Sequence, residues 1–454
     1  MGIKNSDIFT QKRYRHFDKN RHISWINKYV TNPENIYKHA FYPFILDKKV
    51  IKRFNNNAGE KVPKTRQIMF SSHVDRYIYQ WYNSELNLLY NNFTKENGIN
   101  KCSVAYRYNY GKNNINIANE VFGKILNMDN AYIIIGDFEK FFDFLDHNYL
   151  KLMLCKLLNV EKLPNDYYAV YKNITKYSFF NIEDLAIILN IKKDKFYRSK
   201  ESISNEILRK HKKKYLKVNK NKYGIPQGSS ISSVLSNIYM LNCDQIINSY
   251  VSARNGVYRR YSDDFIIAIP NINDNEFEKL KNFIDDTFKS NGNPKVEEKK
   301  TKIFKFVDNK LINITNEYTN IKQNPKNKID YLGFEFDGKN IKICDRTISR
   351  FCYKMRKKIK TIAICKEVTK KNNKVSRKNL YKLYSKKGKN IGLGNFITYS
   401  EKADKIFSEI VSYKSFTKRC DKILKKNLKK MILKYKYINS GKYYSALKKN
   451  KKSI

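Results

Sequence analysis

The chain has 454 residues, of which 91 are Lys or Arg and 42 are Asp or Glu, for a formal net charge of +49. That length supports two or three domains with substantial cores, and that charge excludes an enzyme built only for small neutral substrates, whereas a polyanionic partner accounts for it. Seven cysteines without a CxxC pair exclude a zinc site or disulfide framework, and six histidines form neither HxH nor HExxH, so one such as His147 is expected to be satisfied structurally.

Residues 1–60 read as a mixed helical N-terminal extension with aromatic anchors, Trp25 and the stretch from Tyr37 to Phe44. The opening MGIKNSDIFTQKRYRHF lacks a signal-peptide core, and no apolar run approaches about 18 residues, so the expectation is a cytoplasmic chain with no membrane partner. A helix is expected from Ser72 to Leu89, where Val74, Ile78, Trp81 and Leu88 form an apolar stripe interrupted at Glu85, and another from Ile117 to Met128. Ala131 to Gly136 has the composition of a strand buried on both faces, and it ends at Asp137. An insert at about 160–220 carries an amphipathic stretch, Ile182 to Leu189, and a basic run, Arg209 to Lys214. It fits equally a solvated helical decoration and an RNA-binding or oligomerisation element.

Gly224 to Ser233 is a loop leading into an apolar helix, and strands flank Ser262 to Asp264. Residues 277–289 read as a helix. Beyond 346 helices are expected at Ile348–Ile364, Asn379–Tyr384, Lys402–Val411 and Ser415–Tyr437, broken at Gly388, Gly392 and Gly394, with Lys448 to Ile454 frayed. Residues 346–454 hold 34 Lys/Arg against 5 Asp/Glu, which makes this tail the expected surface for duplex or structured RNA. The 35 Tyr and 27 Phe interleave with Lys and Asn, as in Lys434-Tyr435-Lys436-Tyr437. Such aromatics can stack on unpaired bases, although a compositional bias from an AT-rich genome also produces them.

Asp263 and Asp264 interrupt a strand pattern. Side chains alternate along a strand, so neighbouring carboxylates converge only at a hairpin turn, and burying them together is costly without a cation. From this segment alone a metal site and a surface turn fit equally. Asp137 supplies a third carboxylate. Three suffice to hold two divalent cations about 3.5–4 Å apart around an in-line phosphoryl displacement, and hard oxygen ligands favour Mg²⁺ or Mn²⁺ over Zn²⁺. In Gly224-Ile225-Pro226-Gln227-Gly228, the glycines allow close backbone approach, and the helix start beyond suits phosphate.

In this order, DFEKFFD, GIPQGSSIS and YSDDF resemble the palm of a reverse transcriptase. Lys64 to Ile68 with Asp75-Arg76 resembles the fingers segment, Lys300 to Ile303 the segment after the catalytic hairpin, and Tyr331 to Phe336 with Asp337-Gly338 the primer-grip hairpin. The resemblance spans roughly residues 60 to 345. It implies an α+β right-hand polymerase: fingers over 61–130, a palm of antiparallel sheet plus helices over 131–345, and a helical thumb with a basic C-terminal region over 346–454. It implies that Asp137, Asp263 and Asp264 bind two Mg²⁺ ions, Asp264 contributing least, with the Phe138 carbonyl completing one shell. Phe142 is implied to pack against the incoming sugar and exclude a 2′-hydroxyl, while Phe141 reads as core. Arg66 and Lys64 are implied to grip the triphosphate, although solvated charge explains Lys64 equally. Gln227 and Gly228 are implied to line the nucleotide pocket, and Lys300 to protonate departing pyrophosphate. Tyr261 and Ser262 are implied near the primer terminus, Leu332 and Gly333 in the primer grip, and Tyr106 to Asn114 in a fingers loop beside the template. Asp143 and Asp146 read as structural or solvated.

The roughly 110 residues after the primer grip are too few for a thumb, an RNase H domain and an integrase together, and no histidine follows 211 to build an HNH nuclease. The Pro-Gln-Gly run is intact, and the nearest approach to a retron-like Val-Thr-Gly is Val368-Thr369-Lys370. What remains resembles the stand-alone bacterial reverse transcriptases of the abortive-infection and defence-associated groups. The implied role is antiphage defence through DNA synthesis from dNTPs on a dedicated noncoding RNA, with room for a homo-oligomer. Untemplated or protein-primed polymerisation is an alternative within that group. An RNA-binding maturase or chaperone on a retained palm is another, against which the intact acids and Phe142 weigh.

Overall fold

The computed structural model describes residues 8–408 except 13, 56–59, 109, 198–200, 320–325, 370–381 and 385–394, and beyond 408 only residues 422 and 426. The helix expected at Ser415–Tyr437 (apart from 422 and 426), the glycine loop 388–394, the Lys434–Tyr437 run, the frayed end and the first half of Asn379–Tyr384 lie outside the described residues. The chain divides into two compact units, Met1–Tyr110 with Ile134–Thr301, and Gly111–Ile133 with Lys302–Ile454. The class is α+β, as expected, with antiparallel pairing dominant.

The first unit carries β1 (Phe44–Asn55), β2 (Glu60–Phe70), β3 (Asn130–Asp137, from Ile134 onward), β4 (Ser178–Asn181), β5 (Lys217–Val218), β6 (Val257–Tyr261) and β7 (Asp264–Pro270). β1 and β2 form one long antiparallel hairpin, Ile45 opposite Phe70 and Asn55 opposite Glu60, so the boundary expected at residue 60 falls inside it. β4 adds to β1 in parallel, Phe44 opposite Phe179, and β5 closes the sheet in the order β2-β1-β4-β5. β4 and β5 come from the insert, which is therefore built into the fold rather than appended to it. Phe17, Ile45, Phe180, Ile182, Leu185, Phe196 and Ile203 make one shared core. Around its edge Arg15 pairs with Glu201, the Ile203 N–H donates to the His16 carbonyl at 2.8 Å, and the Tyr42 hydroxyl donates to Asn205 Oδ1 at 3.1 Å.

The helix His73–Glu96 runs past its expected end, capped by Ser72, whose side chain accepts the Asp75 N–H. Its buried face is only partly the expected stripe: Ile78 is buried, but Leu88 is 54% exposed, and Tyr77, Tyr79, Tyr82 and Tyr90 are buried as well. Tyr77, Tyr79 and Tyr82 fit this core because their hydroxyls find partners, Tyr82 donating to Asp166 Oδ2 at 2.6 Å. The helix Asp274–Ser290 starts in a capping box, Asn273 with Glu276, and buries Phe277, Leu280, Ile284 and Phe288 on one face.

The second unit holds the helix Asn114–Leu126, the hairpin β8 (Lys302–Val307) with β9 (Lys310–Asn313), a sheet of β10 (Ile329–Tyr331), β11 (Phe334–Phe336) and β12 (Ile341–Ile343), and the helices Asp345–Thr369 and Phe396–Phe407. Phe122 stacks on Phe336 at 5.0 Å and Phe334 meets Phe407 at 4.9 Å. Among the described residues no helix is long and apolar enough to cross a membrane.

Candidate active site

The site is assembled where β3 ends and the β6–β7 hairpin turns. β7 lies between β6 and β3 in the sheet. Tyr261 pairs with Asp264, so Ser262 and Asp263 are the two turn residues. Ser262 has φ +63° and Asp263 does not share the positive φ, the pattern of a type II′ turn, which normally takes glycine first. Holding serine there stores strain of about 1–3 kcal/mol. The Phe138 N–H donates to the Asp263 carbonyl at 3.0 Å, which joins the turn to the end of β3. The Phe138 ring is buried among Phe141, Phe265 and Phe288, so its backbone and not its ring is offered to the site. Gly136 completes the fit: a Cβ there would lie 2.3 Å from the end of the Phe265 ring, which packs against β3 at this point.

Residues after Asn293 run back alongside. Val296 bridges antiparallel to Phe138, the Glu139 N–H donates to the Lys295 carbonyl, and the Glu297 N–H to the Asp137 carbonyl, each at 2.8 Å. This pairing delivers Lys300, whose Nζ lies 2.9 Å from Asp137 Oδ2 and also pairs with Glu297. Burial alone would lower the Lys300 pKa, but hydrogen bonds and charge from Asp137 and Glu297 raise it, so the ammonium persists. Burial raises the Asp137 pKa; Lys300 opposes this, while Asp263 and Glu297 add repulsion. Glu297 is a member of this cluster that sequence reasoning missed, hidden in the charged run Glu297-Glu298-Lys299-Lys300.

Among the described residues no three His, Cys, Asp or Glu side chains are gathered as a ready metal cage. The donor chemistry nonetheless suits a hard divalent cation. It consists of carboxylate oxygens, and Asp137 Oδ1 is buried with no hydrogen-bond partner.

A second shelf forms around the Pro-Gln-Gly loop. The Gly224 N–H donates to the Leu145 carbonyl and the Ile225 N–H to the Phe142 carbonyl, both at 2.9 Å, which seats the loop on the segment following Asp137. Phe141 is buried, which agrees with its reading as core, and Phe142 is half-buried. The Met69 N–H donates to the Gln227 carbonyl at 2.8 Å, so the end of β2 is bound to the same loop. The Gln227 side chain is exposed. Gly228 has φ +112°, and a Cβ there would lie 2.7 Å from the Met69 carbonyl oxygen. Gly228→Ala is expected to destabilise the first unit by about 1–3 kcal/mol, checked by urea unfolding.

Arg66 is exposed on β2, and Lys64 lies two residues further along the same strand, opposite Ile51. Tyr261 is partly buried beside the turn, and the buried Ser262 Oγ has no hydrogen-bond partner. Leu332 and Gly333 belong to the second unit, where both take positive φ as the two-residue turn between β10 and β11, the type I′ pattern. In the loop Tyr106–Tyr108, Arg107 is fixed by Asn91, Asn100 and Thr94, while Tyr106 and Tyr108 are exposed.

Residues 126–336 match the family model described as "Reverse transcriptase (RNA-dependent DNA polymerase)". By this match, residues 126–336, a little under half of the chain, form a reverse transcriptase domain, and the mixed α+β architecture agrees with that fold. No curated protein matches. Among solved structures, apo telomerase from Candida tropicalis truncated from its C-terminal domain is 14% identical with a TM-score of 0.42, covering 71% of this chain and 59% of that one. Telomerase from Candida albicans in complex with a TWJ fragment of telomeric RNA is 14% identical with a TM-score of 0.39, covering 91% and 65%. The chain thus spans less than two thirds of the length of both.

Proposed function

We propose that this chain polymerises dNTPs on an RNA template by two-metal phosphoryl transfer. The observation that carries the reading is Asp137 at the end of a buried strand, its Oδ1 unpartnered, beside the Asp263 turn and Lys300. Asp137, Asp263 and Asp264 would hold Mg²⁺ or Mn²⁺, with the Phe138 carbonyl as a further donor. The bound ions would neutralise developing charge on the attacking and leaving oxygens. Lys300, kept protonated by its acidic neighbours, holds a proton at Nζ for the departing pyrophosphate. Arg66, exposed on β2, offers its planar donors to the triphosphate, with Lys64 further out on the same strand. Gln227 and Gly228 form the floor on which the base pair rests, Tyr261 and Ser262 flank the primer terminus, and Leu332 and Gly333 serve as the primer grip.

The half-buried Phe142 closes the pocket against a 2′-hydroxyl. Phe142→Ala is expected to raise rNTP relative to dNTP incorporation by about 10–100-fold, read from competing single-nucleotide additions.

The template we propose is a dedicated noncoding RNA and the role antiphage defence, on the resemblance to stand-alone bacterial enzymes. The test is purification with bound nucleic acid retained, incorporation of labelled dNTPs with Mg²⁺, and sequencing of RNA and product. DNA complementary to a copurified RNA supports the reading; DNA of biased composition with no RNA match replaces it with untemplated synthesis.

A further inference from the structure

The insert ends in a helix, Asn205–Tyr215, whose two faces differ sharply. Ile207, Leu208 and Tyr215 pack on the core shared with Phe17 and Phe180. The outward face carries Arg209, Lys210, Lys212, Lys213 and Lys214, all exposed. Among the described residues none of the five forms an ion pair: Glu201 pairs with Arg15, and Glu206, although one turn before Arg209 and Lys210 at i,i+3 and i,i+4, makes an ion pair with neither. The cations repel one another. Arg209 and Lys213, and Lys210 and Lys214, stand at i,i+4, and Arg209 with Lys212 and Lys210 with Lys213 at i,i+3, spacings at which like charges destabilise a helix. Favourable interaction with the helix C-terminus accounts for the last-turn lysines but not for Arg209 and Lys210 further back. The basic surface continues past the helix in exposed Lys217, Lys220 and Lys222, two residues short of Gly224.

We propose that this helix face is a phosphate-binding surface for RNA outside the polymerase cleft. The inference rests on the reading that the chain engages RNA as template, and it adds where a length of that RNA is held. The face offers cations and no exposed aromatic ring on the helix, so it reads backbone charge and not bases. Its core contacts hold it rigid against β1 and β4, and the chain then runs directly into the loop that forms the nucleotide shelf. RNA bound there is anchored to the same unit that carries Asp137.

The test uses the full chain and a structured RNA of about forty nucleotides, without dNTPs. The quintuple variant R209Q/K210Q/K212Q/K213Q/K214Q is compared with the parent in a salt titration. The slope of log affinity against log salt is expected to fall by about 3 to 5, and affinity at 0.1 M salt to drop at least about tenfold. A slope and affinity equal to the parent's overturn the proposal. In the unmodified protein, amine acylation read by mass spectrometry gives a second measurement: RNA is expected to protect Lys210, Lys212, Lys213 and Lys214, and equal labelling with and without RNA overturns the assignment. Loss of binding to vesicles containing phosphatidylserine with RNA affinity retained would assign the face to a membrane instead. None of these readouts needs DNA synthesis, so a chain that binds RNA here yet makes no DNA defeats the polymerase reading alone.

Discussion

Asp137→Asn is expected to cut nucleotide incorporation by about 10²–10³-fold or more while leaving the fold at least as stable. The substitution keeps the shape of the side chain and an acceptor for Lys300 Nζ, so the local pairing survives. It removes the negative charge that the half-buried site holds at a cost, since burial and the charges of Asp263 and Glu297 all raise the Asp137 pKa. Loss of one carboxylate that clamps transition-state charge through a bound cation accounts for the rate loss. The paired measurement is labelled dNTP incorporation with Mg²⁺ and the midpoint of urea unfolding. Incorporation within tenfold of the parent would falsify the two-metal assignment. A clear fall in midpoint would recast Asp137 as a structural residue.

Asp244→Asn is expected to destabilise the first unit by about 3–5 kcal/mol. Arg260 and Asp244 are a fully buried pair, Nη2 to Oδ2 at 2.6 Å and Nε to Oδ1 at 3.0 Å, with the Tyr258 hydroxyl donating to the same carboxylate at 2.7 Å. Burial works against the Arg260 charge, but Asp244 overrides it and raises the guanidinium pKa. Without the carboxylate the guanidinium stays charged in the core with only neutral acceptors. Arg260 Nη1 also donates to the Ser262 carbonyl at 3.0 Å, so its displacement disturbs the turn that presents Asp263. Denaturant unfolding measures the first effect, and kcat the second. The double variant Arg260→Met with Asp244→Leu should cost less stability than Asp244→Asn alone, because it leaves no buried charge.

The strands that carry Asp137 and the Asp263 turn were legible because their pattern is local. An apolar run that ends in an acid, and paired acids at the one place where a strand pattern turns, need no tertiary information. The fold class followed from the same blocks. The Arg260–Asp244 pair was not legible, since an arginine in a strand and an aspartate in a helix sixteen residues earlier carry no signal that they meet. Glu297 was masked by its charged neighbours, and only the backbone pairing of Val296 with Phe138 singles it out. The buried face of the His73–Glu96 helix misled because tyrosines, half polar by composition, fill the core while Leu88 faces out. The parallel pairing of β4 with β1 joins residues more than 130 apart, and no periodicity reports such a partner.

That same pairing has a consequence for how the chain is made. Phe17 and Ile45 belong to a core that also needs Phe180, Phe196 and Ile203. At about 5–20 residues per second, a ribosome takes about ten to forty seconds to go from the first of these to the last. Through that interval the emerging N-terminal segment presents apolar side chains and an unpaired strand edge with nothing yet synthesised to cover them. Phe17, Ile45 and the open edge of β1 are therefore open to chaperone capture during translation, before the residues that cover them exist.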